Sequence, residues 1–147
     1  MLAKLQNILK NELPILLEKP EVWDSLLINR RKPYTYRVFT YLPDKTRIAL
    51  HKFETCDMHE AFAHPHPWPG AFMILAGQYE MKLGLSPDRQ SDPQECSTTL
   101  LSRYSAYEIL NPLTWHAVVP KMTTYTVMIN DEPWPADFAH EKAPTTK

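Results

Sequence analysis

The stretch His64-Pro65-His66-Pro67-Trp68-Pro69-Gly70 holds two histidines one residue apart, and the apolar run Ala71 to Ala76 follows at once. Side chains alternate between the faces of an extended chain, so His64 and His66 point the same way and can share one metal ion. Imidazole is the commonest protein ligand for first-row transition metals, and a pair needs a further donor to hold an ion firmly. His116, in the β-rich run Thr114-Trp115-His116-Ala117-Val118-Val119, is the natural third. Taken alone, it reads as a core histidine hydrogen-bonded through its ring nitrogens. Taken with His64 and His66, one site accounts for all three.

His59, Glu60 and His51 are candidates for a fourth ligand. The first two lie on the polar connection 55–63 that leads into the pair, where charged groups usually face solvent. Arg47 and His51, if turned inward, would bind a substrate carboxylate. Trp68, Phe72, Trp115 and Tyr125 would line a cavity, although aromatic residues at strand positions more often form ordinary core.

These residues need strands to position them, and the pattern supplies strands. Leu2, Leu5, Ile8, Leu9 and Leu13 recur at helical spacing until Pro14, which cannot donate a backbone hydrogen bond. Lys19-Pro20 opens a second expected helix with Val22, Trp23, Leu26 and Leu27 as its stripe. From Tyr34 to Leu42 and from Thr46 to Glu54 the chain is rich in aromatic and branched residues, with Pro43-Asp44-Lys45 as the turn of a hairpin. In its second strand Arg47, Ala49, His51 and Phe53 share one face. Ile48 and Leu50 share the other, which is the face expected to be buried.

Phe72 to Ala76 reads as a strand covered on both faces, Gly77 as a turn, and Gln78 to Leu83 as a strand with Tyr79, Met81 and Leu83 inward and Glu80 outward. Gly84 to Thr99 reads as a long mobile polar loop. Strands then follow at Leu100-Leu101, Tyr107 to Leu110, Thr114 to Val119 and Thr123 to Ile129. Short strands at regular spacing, with no βαβ alternation, argue for a mainly β, antiparallel sandwich or jelly-roll barrel preceded by one or two short helices. The expected division is a helical segment at 1–33, a β-domain at 34–135 and a partly disordered tail at 136–147.

At 147 residues the chain has the length of one domain, and a formal charge of -1 gives no electrostatic reason to bind nucleic acid. The Arg30-Arg31-Lys32 trio is short enough to be a solvated loop. No apolar run approaches the roughly 18 to 20 residues that span a bilayer, and Lys4, Lys10, Glu12 and Glu18 interrupt the N-terminal leucines. The expectation is a soluble, cytoplasmic protein without membrane partners. Cys56 and Cys96 occur singly and read as free thiols.

The order and spacing of these motifs resemble the cupins. Their first motif has a His-x-His pair, a glutamate a few residues on and a later glycine; their second has a histidine shortly after a Pro-x-Gly turn. His64 and His66 match the pair, Gly77 the glycine, and Tyr107 to His116 the second motif, a resemblance covering about residues 46 to 130. Gly70 stands where cupins usually carry the glutamate ligand, and Asn111 and Leu113 hold the Pro and Gly positions. The resemblance implies a single-domain cupin-type antiparallel β-barrel holding one divalent transition metal ion (Fe, Zn, Ni or Mn). It also implies a small-molecule ligand or substrate, and a homodimer is expected. Three-histidine cupins include iron-dependent dioxygenases, so the leading expectation is a metal-dependent enzyme of that kind. The alternatives are a non-catalytic small-molecule binding or sensing domain and a purely structural interaction domain.

Overall fold

The computed structural model describes residues 1–135; the expected tail lies outside them. The N-terminal leucines form α1 (Leu2–Asn11), which buries Leu5 and Ile8. Pro14 does not end the helical path. It sits in the first turn of α2 (Leu13–Leu17), where its missing N–H is one that no helix would use.

The second expected helix is absent. Pro20–Val22 makes a single 3-10 turn, and the chain then enters β1 (Asp24–Ile28). Pairing with β2 (Thr35–Tyr41) overrides the helical stripe, setting Leu26 opposite Arg37 and Leu27 opposite Tyr36. Alternation turns Leu26 and Ile28 toward the interior cavity and leaves Leu27 exposed.

The hairpin forms as expected from β2 and β3 (Arg47–Phe53). The remaining strands are β4 (His64–Pro65), β5 (Gly70–Ala76), β6 (Gln78–Leu85), β7 (Cys96–Ser102), β8 (Ala106–Ile109), β9 (Thr114–Pro120) and β10 (Thr124–Asn130). They build two antiparallel sheets, one in the order β1-β2-β3-β10-β5-β8 and one in the order β4-β9-β6-β7. The sheets face each other without closing into a barrel. The fold is a two-sheet antiparallel β-sandwich.

Both faces of the larger sheet are covered, so the choice between the faces of β3 was a false one. Ile48, Ala71, Val127 and Ile129 pack under Leu5, Ile8 and Leu13 on the helical side. Ala49, Phe72 and Met128 pack on the inner side, facing the second sheet. Ile74, Tyr79, Met81 and Val118 fill the space between the sheets further along. Gly77 turns the chain from β5 into β6 with φ +85, and a Cβ there would stand 2.6 Å from the Thr123 carbonyl oxygen. Only glycine meets both demands without strain.

The loop expected to be mobile is shorter, Ser86 to Glu95, and is tied down. The Asp88 carboxylate accepts the Gln90 and Ser91 N–H groups at 2.8 Å each, and Arg89 Nη2 donates to the His66 carbonyl at 2.9 Å. Cys56 and Cys96 are free thiols. No helix among the described residues is long and apolar enough to cross a membrane.

Candidate metal centre

Antiparallel pairing of β4 with β9 sets His64 directly opposite His116, and Pro65 opposite Trp115. Two strand positions with the same orientation thereby bring His64, His66 and His116 to one wall. Their ring nitrogens lie within 4.8 Å of one another. His66 Nε2 is 2.6 Å from His116 Nε2, and the ring centroids of the three pairs are 4.6 to 5.0 Å apart.

The tautomers suit ligation. His64 Nδ1 donates to the Phe62 carbonyl at 3.2 Å, which leaves the Nε2 lone pair facing its neighbours. Burial pushes the pKa of His64 down to about 4, opposed by the Phe62 carbonyl and aided by the Arg37 and Arg31 charges. Burial likewise drives His66 and His116 well below the ordinary imidazole range, reinforced for His66 by His116 and His64 and for His116 by His64. All three are neutral at pH 7, the form that offers a lone pair. His116 Nδ1 is buried without a hydrogen-bond partner, an orphaned polar atom on the same ring. Small side-chain rotations bring such nitrogens to metal bonds of about 2.1 Å, so the donor set fits one transition ion.

The three rings form part of the wall of a cavity of about 480 Å³ between the sheets, lined also by Arg37, His51, Phe53, Phe62, Phe72, Tyr79, Tyr107, Val118, Thr126 and Met128. No Asp or Glu among the described residues lines it. The Tyr79 and Tyr107 hydroxyls share a hydrogen bond of 2.7 Å, and burial raises the pKa of both. Phe72 stacks on Tyr107 with centroids 4.7 Å apart, and its ring lies 5.4 Å from His66 and 5.8 Å from His116.

The other expected site residues divide. His51 and Phe72 reach the cavity, but His51 is not among the convergent nitrogens. Arg47 shares the face of His51 yet lies four residues, about 13 Å of strand, away. There its Nε donates to Asn130 Oδ1 at 2.9 Å and its guanidinium lies over Trp68, 4.7 Å from the centroid. Trp68 packs edge-on against His66 from outside the cavity wall, and Trp115 is buried on β9 without lining it. Tyr125 alternates to the outer face and is exposed. His59 is exposed, while Glu60 is held by Lys32 Nζ at 2.7 Å and by the Asp57 N–H at 3.0 Å, so neither joins the triple. Glu80 pairs with Lys121 away from the site, as its outward position implied.

Two features were missed. Arg30, Arg31 and Lys32 line the cavity while Arg30 and Arg31 stay exposed, as a solvated loop would be, with the Arg31 guanidinium 4.2 Å from the Phe62 centroid. Arg37 sits opposite His51 in the β2–β3 register and donates from Nε to His51 Nε2 at 2.8 Å. Alternation along Thr35-Tyr36-Arg37-Val38-Phe39 contained that signal, because it groups Arg37 with Thr35 and Phe39 on one face.

No family model and no curated protein matches the sequence. Solved structures do resemble it. Hydroxypropylphosphonic acid epoxidase from S. wedmorenis in complex with fosfomycin superposes with a TM-score of 0.59 at 15% identity, over 76% of this chain and 57% of that one. FeII HppE gives 0.58 at 13% identity, over 74% and 56%. CapF with the inhibitor 3-isopropenyl-tropolone gives 0.54 at 13% identity, over 78% and 32%. The chain therefore spans little more than half the length of the epoxidase and about a third of CapF. At these identities the likeness is one of fold alone, a cupin-like arrangement of two antiparallel sheets.

Proposed function

We propose that the chain is a metal-dependent cupin enzyme acting on a small molecule, with His64, His66 and His116 as the ligands of one divalent transition ion. The observation that carries this reading is the convergence of three neutral imidazoles, one with an orphaned Nδ1, on the wall of a cavity large enough for a small substrate. When bound, such an ion supplies Lewis acidity and coordination positions open to substrate or water. Iron and cobalt are both candidate metals, because FeII HppE and CoII HppE share the fold, and the dioxygenase-like class is what the cupin resemblance implies.

The chain's own residues do the rest. Phe62 fixes the His64 tautomer, and Arg89 and Trp134 hold the His66 carbonyl at 2.9 and 3.1 Å. A cytoplasmic homodimer, with residues 34–135 as the cupin unit and 1–33 packed on it, completes the proposal.

Metal analysis after reconstitution tests it, followed by oxygen consumption with candidate small molecules. Wild-type protein retains about one ion per chain and His116→Ala loses it; equal retention by both proteins refutes the assignment. The absence of any lining carboxylate favours a second reading, a binding or sensing domain. That domain is stabilised by its ligand through linkage without consuming it.

A further inference from the structure

Among the described residues Arg37 is a cation without a counter-ion. It makes no salt bridge, its one hydrogen bond runs from Nε to His51, and Nη1 and Nη2 have no partner among the described residues. Burial lowers its pKa to about 10, which still leaves it charged at neutral pH. The acceptor beneath it is fixed as well. His51 Nδ1 bonds to Thr126 Oγ1 at 3.3 Å, so the proton sits on Nδ1 and Nε2 receives Arg37. Stacking on Phe53, with centroids 5.4 Å apart, holds the His51 ring in place.

A desolvated guanidinium is costly unless something pairs with it, and its free Nη edge presents parallel N–H donors that match a carboxylate bidentately. Of the other cations of the wall, Lys32 is held by Glu60, Arg31 lies over Phe62 and Arg30 is exposed to solvent. The remaining surface is apolar and aromatic, contributed by Phe53, Phe72, Val118 and Met128.

We infer that the cavity takes a small organic acid whose carboxylate is bound by Arg37 and whose apolar body lies against the aromatic wall, facing the three histidines. This rests on the reading of the cavity as the substrate site, but the carboxylate contact itself needs no metal. Arg37 is the binding residue, and His51 and Thr126 are positioning residues that act through it.

The test uses benzoate, the neutral isostere benzamide and the dianion phenylphosphonate. Each is titrated calorimetrically into the full chain, stripped of metal on a chelating resin and, separately, reloaded. Benzoate binds both forms more tightly than either other probe. Arg37→Met weakens it at least tenfold in both, and Arg37→Lys, which keeps the charge but loses the fork, gives an intermediate loss. Arg37→Lys carries the test if Arg37→Met does not fold. Equal binding of benzamide, tighter binding of phenylphosphonate, or benzoate affinity unchanged in the Arg37 variants overturns the assignment. A His116→Ala protein that retains metal sinks the metal proposal while leaving the Arg37 result standing.

Discussion

Acidification destabilises the metal-free protein before most of its carboxylates titrate. His51, His64, His66 and His116 are held neutral by burial, His64 with a pKa of about 4. In the unfolded chain each titrates near 6.5, so below that pH the unfolded state binds protons that the folded state refuses. Stability therefore falls as pH falls through the window from about 6.5 to 4. Between pH 7.5 and 5.5 one such group loses about 1.4 kcal/mol, and four lose about 5 kcal/mol. That total is an upper bound, because His64 and His66 keep partial access to cavity water. It is still a large part of the about 5–15 kcal/mol that holds a domain together. Urea titrations at pH 7.5, 6.5 and 5.5 read it directly, and His116→Gln removes about a quarter of the slope. A midpoint that stays constant across this range, with constant m, refutes the argument that these imidazoles are buried and neutral.

Gly77→Ala forces a side chain into φ +85 and against the Thr123 carbonyl, so chemical denaturation shows a loss of about 1–3 kcal/mol. Leu5→Ala and Ile8→Ala, at 0% and 1% exposure, each cost about 2–5 kcal/mol in the same assay if α1 is part of the core. A loss below about 0.5 kcal/mol would mean that the helix is an appendage. Gly70→Glu, which installs the carboxylate usual in cupins, destabilises by about 1–3 kcal/mol through overpacking, and adding Phe72→Ala recovers part of that. A Gly70→Glu protein as stable as wild type would show that the space is open after all.

The fold was legible where one principle acted alone. The β2–β3 hairpin, the turn at Gly77 and strands β5, β6, β8, β9 and β10 followed from alternation and turn residues, whereas the first four residues of β7 fall in the stretch that reads as a loop. Reading failed at Val22, Trp23, Leu26 and Leu27, whose spacing fits a helix as well as a strand. Pairing with β2 decided it, and that pairing is a tertiary fact which no local window contains. The same limit explains why β3 was assigned one buried face. Helix α1 covers its other side from forty residues away in sequence, and periodicity on β3 cannot report a distant helix.

At the site, the histidine triple was visible because its members stand out by type. Arg37 was not, because an arginine in a strand resembles surface until register sets it against His51. Arg47 and His51 share a face, yet sharing a face says nothing of position along a strand, and only His51 reaches the cavity. Tyr125 failed by parity, since Thr126 and Met128 take the inner positions of β10.

Gly70 ties these strands of argument together. A Cβ there would stand 3.2 Å from the Ile129 carbonyl oxygen and 3.3 Å from the Phe72 ring. Its lack of a carboxylate is therefore matched by an aromatic ring that fills the adjoining space beside His66 and His116. With that carboxylate gone and no other acid in the wall, the proposed ion would meet only neutral ligands, while Arg37 adds a further positive charge nearby. Among the described residues no acidic side chain lines the cavity to balance them. A bound anion is the natural complement, and Arg37 is placed to receive it.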